Sequence, residues 1–241
     1  MENKQHVQLP NDLGSISFIK PKDQFVYVVI KKFMNKDTKE AFPSLNTLHQ
    51  ITKLSINTIR DCINRLIKSR FIEVRKEGRK NIYKFLKHDT FEPFSFKFIE
   101  KKDLTPEEKA YLIASQKYMF KEGGEGKIAL TNKELADKIN LSESSIIRIN
   151  NSLTEKQYMT TLKMKTKDNE TGLFKSVKFY HLNQLEQAII FVLQNHEERI
   201  EENTTSIKQL QKENKSIKQD LQIALRRIEE LEKKQQIQYT L

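Results

Sequence analysis

The sequence predicts a mostly α fold with small β-hairpins, built as two successive units of three helices and a hairpin and followed by one long C-terminal helix. Three observations carry that expectation: two capped helices and a hairpin between Ser44 and Phe85, their recurrence further along the chain, and a seven-residue apolar repeat after Leu193. The boundaries expected from these patterns are an N-terminal arm at 1–20, a first domain at 21–89 and an aromatic connector at 90–102. A second domain at 103–182, a dimerisation helix at 183–236 and a tail at 237–241 complete the division.

The first unit opens on DQFVYVVIKKFM, Asp23 to Met34, whose β-branched run suits a strand as well as a helix; the elements that follow favour the helix. Pro43 keeps the chain extended, and Ser44 can then cap a helix over roughly Leu45–Thr52 by accepting an orphan N–H of its first turn. After a break at Lys53–Leu54, Ser55 offers a second cap for a helix running to about Ser69. FIEVRK, EGR and KNIYKF read as strand, tight turn and strand, with Gly78 at the turn. Helix, helix, turn, helix, hairpin is the order of a winged helix-turn-helix.

The same skeleton returns at a constant offset of 87, the separation of Ser44 from Thr131. Leu48 matches Leu135, Leu54-Ser55 match Leu141-Ser142, and Ile59, Asn64 and Leu66 match Ile146, Asn151 and Leu153. Phe71-Ile72 match Tyr158-Met159, where each hairpin begins. A leading helix in LTPEEKAYLIASQKYMF and a trailing hairpin in MTTLKMKTKDNETGLFKSVKFYHL complete the second unit, so tandem winged helix-turn-helix domains are expected. Between the units, TFEPFSFKF alternates phenylalanine with polar residues, which fits a strand or rigid connector packing Phe94, Phe96 and Phe98; stacking on unpaired bases is the alternative.

With Leu193 at position a of a heptad, Ile200, Ile207, Asn214, Leu221 and Ile228 fall at later a positions. His196, Asn203, Leu210, Ile217, Ala224 and Leu231 fall at d. A helix with one apolar stripe needs a partner, and an amide such as Asn214 at an a position favours two strands in fixed register. Glu213 with Lys218, and Arg227 with Glu232, suit a parallel pair. The expectation is a parallel coiled-coil homodimer held by Ile200, Ile207, Leu210, Asn214, Ile217, Leu221, Ile228 and Leu231.

Charge narrows the partner. Net charge is +11, and residues 1–100 hold 19 Lys/Arg against 11 Asp/Glu, whereas residues 183–241 hold 9 against 10. The basic bias therefore sits on the two repeated units in the first two thirds of the chain and suits a polyanion. The apolar runs FVYVVI and AIIFVL are far shorter than the roughly 20 residues of a membrane helix, and the N-terminus has no signal-peptide core. Cys62 is the one cysteine, so no internal disulfide is possible, and a cytoplasmic protein with no membrane partner is expected. The histidines form no metal-ligand spacing, and GGEGK at Gly123–Lys127 lacks the upstream glycine and the Ser or Thr of a phosphate loop. No catalytic constellation appears, and neither metal nor cofactor is expected.

On the helix after Ser55, the residues Ile59, Cys62, Ile63 and Leu66 mark the core face. Ser55, Asn57, Thr58, Arg60, Asn64 and Arg65 are the candidates for DNA contact, since short amides and hydroxyls near a helix N-terminus can reach base edges and phosphates in a major groove. Asp61 opposes phosphates and would need a cytosine amino group or a basic partner such as Arg65. Arg75, Lys76, Arg79 and Lys80 surround the hairpin turn and suit backbone contact. In the second unit the corresponding candidates are Ser144, Ser145, Arg148 and Asn151, with Lys163, Lys165 and Lys167 alternating along a strand. A protein-binding role is the alternative for this second unit.

The first unit resembles the winged helix-turn-helix family of plasmid and phage replication initiators and related bacterial regulators. FPS-x-x-x-L from Phe42 to Leu48, LS-x-x-T-I-R from Leu54 to Arg60, and Leu66 to Ile72 carry the resemblance, which is clearest over residues 22–86. Lys53 and Asn140 stand where a small turn residue, often glycine, is usual. The resemblance implies sequence-specific binding of double-stranded DNA in transcription or replication initiation of a phage or plasmid, with replication or transcription proteins as candidate partners. The rival expectation is a structural or adaptor protein that uses the same elements for protein contacts.

Overall fold

A computed structural model describes residues 6–78, 80–86, 90–122, 125–165, 174–181, 184–185, 204–219 and 221–222. Two units separate, Met1–Phe191 and Val192–Leu241.

In the first unit, strand β1 (His6–Pro10) leads through a 3₁₀ turn to helix α1 (Pro21–Lys32). Pro21 supplies the fixed φ of a first helical turn, and Asp23 accepts the Lys20 N–H at 2.8 Å. Phe25 to Ile30 are fully buried, so this helix is enclosed on all sides and its β-branched run carries no amphipathic period. After β2 (Glu40–Ala41) come α2 (Leu45–Thr52) and α3 (Ile56–Lys68), capped by Ser44 and Ser55, whose hydroxyls accept the Thr47 and Thr58 N–H groups at 3.0 and 3.1 Å. Lys53 ends α2 with φ 58°, so the turn between the helices takes the left-handed form even without glycine.

Strands β3 (Ile72–Glu77) and β4 (Lys80–Phe85) pair antiparallel from Ile72 opposite Phe85 to Glu77 opposite Lys80. Gly78 in the two-residue connection has φ 58° and open space around a notional Cβ, so glycine serves the backbone there and not a close approach. β2 adds to the far edge of β4. Strand β5 (Phe91–Ser95) returns to pair with β1, and the short helix α4 (Phe96–Glu100) follows.

The next elements are α5 (Pro106–Ser115), β6 (Phe120–Glu122), β7 (Glu125–Ile128), α6 (Asn132–Ile139), α7 (Glu143–Glu155), β8 (Met159–Lys165) and β9 (Phe174–His181). The last sheet has the order β6-β7-β9-β8. α6 and α7 have the bounds of α2 and α3 shifted by 87, the difference between Asn132 and Leu45. Left-handed Asn140 and Gln157 likewise repeat left-handed Lys53 and Arg70. α1 packs against α2, α3 and α5, and one hydrophobic core runs from Val7 to Leu185. Two polar clusters lie within the second repeat. Tyr111 donates to Asn150 at 2.8 Å and shares a 2.7 Å bond with Tyr180, while Glu108 accepts from Lys156 and Ser152. Burial alone would raise the Glu108 carboxyl, but the Lys156 ion pair and the hydroxyl and amide donors outweigh it and hold it below its ordinary range.

In the second unit a helix, α8, is described at residues 204–219 and 221–222. Ile207, Leu210, Ile217 and Leu221 are 54–63% exposed along it.

The fold class expected from the sequence is corrected on two counts. Strand is not confined to small hairpins: beside its helices the chain carries, among the described residues, three antiparallel sheets of two, three and four strands. Nor is tandem winged helix-turn-helix followed by a long coiled coil the architecture found, since the final helix is short and no long C-terminal coiled coil occurs among the described residues. The extra strands are hidden in the sequence because β1 finds its partner in distant β5, and β6 and β7 are three and four residues long; neither leaves a local period to read. In α8 the apolar stripe is exposed. Ile200, Ile228 and Leu231 lie outside the described residues.

Candidate nucleic-acid interface

α3 is fixed from beneath before it can present anything. Ile59, Cys62, Ile63 and Leu66 are buried, and Arg65 reaches back to the fully buried Asp23 of α1 with two bonds, Nε at 2.8 Å and Nη2 at 2.7 Å. The Arg65 side chain is 28% exposed, and its hydrogen bonds to Asp23 hold the guanidinium firmly protonated. That arrangement commits Arg65 to the fold. Burial, reinforced by the Asp23 carboxylate, pushes the Cys62 thiol up, so this cysteine has no thiolate character at neutral pH.

The opposite face of α3 is open. Asn57, Arg60, Asp61, Asn64 and Lys68 are exposed, at spacings of three and four that align them along one side. Arg60 donates to Asn57 at 3.2 Å, a contact within the helix that leaves both groups at the surface. Ser55 and Thr58 hydroxyls lie 2.8 Å apart at the N-terminus, satisfying the cap while facing solvent on the Ser55 side. Lys68 is not among the sequence candidates, although helical spacing from Asn64 marks it; its Nζ stands 5.1 Å over the Phe18 ring. Asp61 does not have Arg65 as its partner, because Arg65 is taken by Asp23.

The β3–β4 hairpin brings Arg75, Lys76 and Lys80 to the surface near its turn, and all three are exposed. Arg75 forms ion pairs with the half-buried Glu40 at 3.3 Å and the exposed Glu77 at 3.4 Å, the second of them a surface pair of little energetic weight. Arg79 lies outside the described residues.

The matching face of α7 is less open to nucleic acid. Ser144, Arg148 and Asn151 are exposed and Ser145 is half-buried, but Arg148 pairs with Glu107 at 2.6 Å and Ser142 shares its cap bonds with Ser144 and Ser145. Exposed Ile147 stands where α3 has Arg60. Lys163 and Lys165 occupy β8 opposite Ser176 and Phe174, and Lys167 lies outside the described residues.

Residues 19–72 match the family model of the Helix-turn-helix domain, covering α1, α2, α3 and the first residue of β3. Residues 19–72 are thus similar to a helix-turn-helix domain, with α3 in the place of its second helix. Comparison with curated proteins finds no match. Among the described residues no helix is long and apolar enough to cross a membrane.

Proposed function

We propose that the chain is a sequence-specific double-stranded DNA-binding protein that lays α3 in the major groove and uses the β3–β4 hairpin as a wing on the adjoining backbone. The observation that carries this reading is the exposed Asn57, Arg60, Asn64 and Lys68 face of a helix whose other side is locked to α1. Amides and a guanidinium can address base edges, and the hairpin cations add affinity without discrimination. The biological reading that goes with it is regulation of transcription or replication initiation, of the kind used by phages and plasmids. Its support is the likeness of Phe42–Leu48 and Leu54–Arg60 to that class.

Selection from a random duplex pool tests it. An enriched motif is the expected result; retention of duplexes without any motif contradicts it and favours an adaptor or a packaging role.

Self-association through α8 belongs to the same reading. Ile207, Leu210, Ile217 and Leu221 form an exposed apolar stripe that a second copy would bury. Sedimentation should give a dimer for the wild type and a monomer for the Leu210→Asp, Ile217→Asp variant. A monomeric wild type, or a variant that stays dimeric, rules the stripe out as the contact.

A further inference from the structure

The second repeat carries an apolar cleft of about 370 Å³ lined by Tyr118, Phe120, Lys127, Ala129, Leu130 and Lys138. We propose that this cleft binds an unpaired nucleotide of a single nucleic-acid strand, with Phe120 as the stacking platform and Lys127 and Lys138 on the flanking phosphates. The site does not depend on the duplex-reading proposal, since every residue in it lies beyond the segment that matches the helix-turn-helix family.

Four observations carry it. Phe120 is 66% exposed on a strand at the sheet edge, a costly place for a phenyl ring that has nothing to cover. Phe120 pairs with Lys127 across β6 and β7, and the Lys127 ammonium lies 5.7 Å over the neighbouring Phe179 ring, within a side chain's swing of the cleft mouth. Tyr118 closes the far wall, its hydroxyl donating to the Lys138 carbonyl at 3.3 Å and its ring lying 5.6 Å from the Lys138 ammonium. None of the lining residues is acidic, so the potential of the cleft is that of its lysines.

Flat apolar walls with a cationic rim match the two faces of a nucleotide, a π-surface and a phosphate. A peptide fits less well. β6 is three residues long and offers too little free edge for strand addition, and the lining side chains give few groups to satisfy a peptide backbone. The lack of side-chain amides in the lining also means that base identity goes largely unread, so binding is tolerant of sequence.

The test is fluorescence anisotropy of the full chain with a labelled oligo-thymidylate. Wild type should bind, Phe120→Ala should weaken binding roughly tenfold, and Phe120→Tyr should restore it. Replacing Lys127 and Lys138 with Gln should lower the salt slope by roughly 0.7 for each phosphate no longer neutralised. Binding of duplex by the same variants should stay within about twofold, which separates this site from the α3 face. An oligonucleotide affinity unchanged in Phe120→Ala overturns the proposal. Thymidine monophosphate binding as tightly as the oligonucleotide overturns the assignment to a strand.

Discussion

Replacing Arg65 with alanine lowers the unfolding free energy by about 3–5 kcal/mol, because it strands a buried carboxylate. Asp23 is fully buried, and without the two guanidinium bonds at 2.8 and 2.7 Å its carboxylate keeps the Lys20 N–H but no compensating charge from α3. The pair also joins α1 to α3, so its loss loosens the support on which the reading face rests. Urea denaturation gives the readout, with the midpoint falling and the slope unchanged. The salt dependence of DNA binding by the folded variant should match that of wild type, since the guanidinium points inward. A destabilisation below about 1 kcal/mol, with a reduced salt slope, would return Arg65 to the DNA surface.

The second large effect belongs to the hairpin. Arg75→Ala, Lys76→Ala and Lys80→Ala together should reduce duplex affinity on the order of a hundredfold at physiological salt, and flatten log affinity against log salt by roughly 0.9 for each phosphate no longer engaged. The three contributions should not be equal. Arg75 must leave Glu40 and Glu77 to reach a phosphate, a competition that holds it back and lets the exposed Lys76 and Lys80 dominate. All three side chains are exposed, and thermal stability should change little. An unchanged slope would remove the hairpin from the interface.

What the sequence made legible was local. Ser44, Ser55, Thr131 and Ser142 announce helix starts because a short hydroxyl before an apolar period has one common use, and each accepts the amide three residues on. The core face of α3 follows from spacing for the same reason. What stays hidden is pairing over distance: His6–Pro10 against Phe91–Ser95, or Arg65 against Asp23, has no local signature. Arg65 has the sequence character of a DNA contact because helical spacing places it at the flank, and only α1 packed alongside turns that flank inward. Phe120 carries no signal of its own, because an exposed aromatic and a buried one look alike in a sequence. The heptad after Leu193 misleads in the opposite direction, since a period in apolar residues marks a face and not the length of the helix that carries it.

The proposed function stands or falls with base reading by the exposed face of α3. Arg60 is the residue on it best equipped for that task, as a guanidinium can bridge two acceptors of one guanine. The direct measurement is selection of duplexes by wild type and by Arg60→Ala from the same random pool. Wild type should yield one motif, and the variant the same motif with preference relaxed at one base pair, each correct contact being worth about 1–3 kcal/mol of discrimination. Identical motifs with identical preference at every position would contradict base reading by α3.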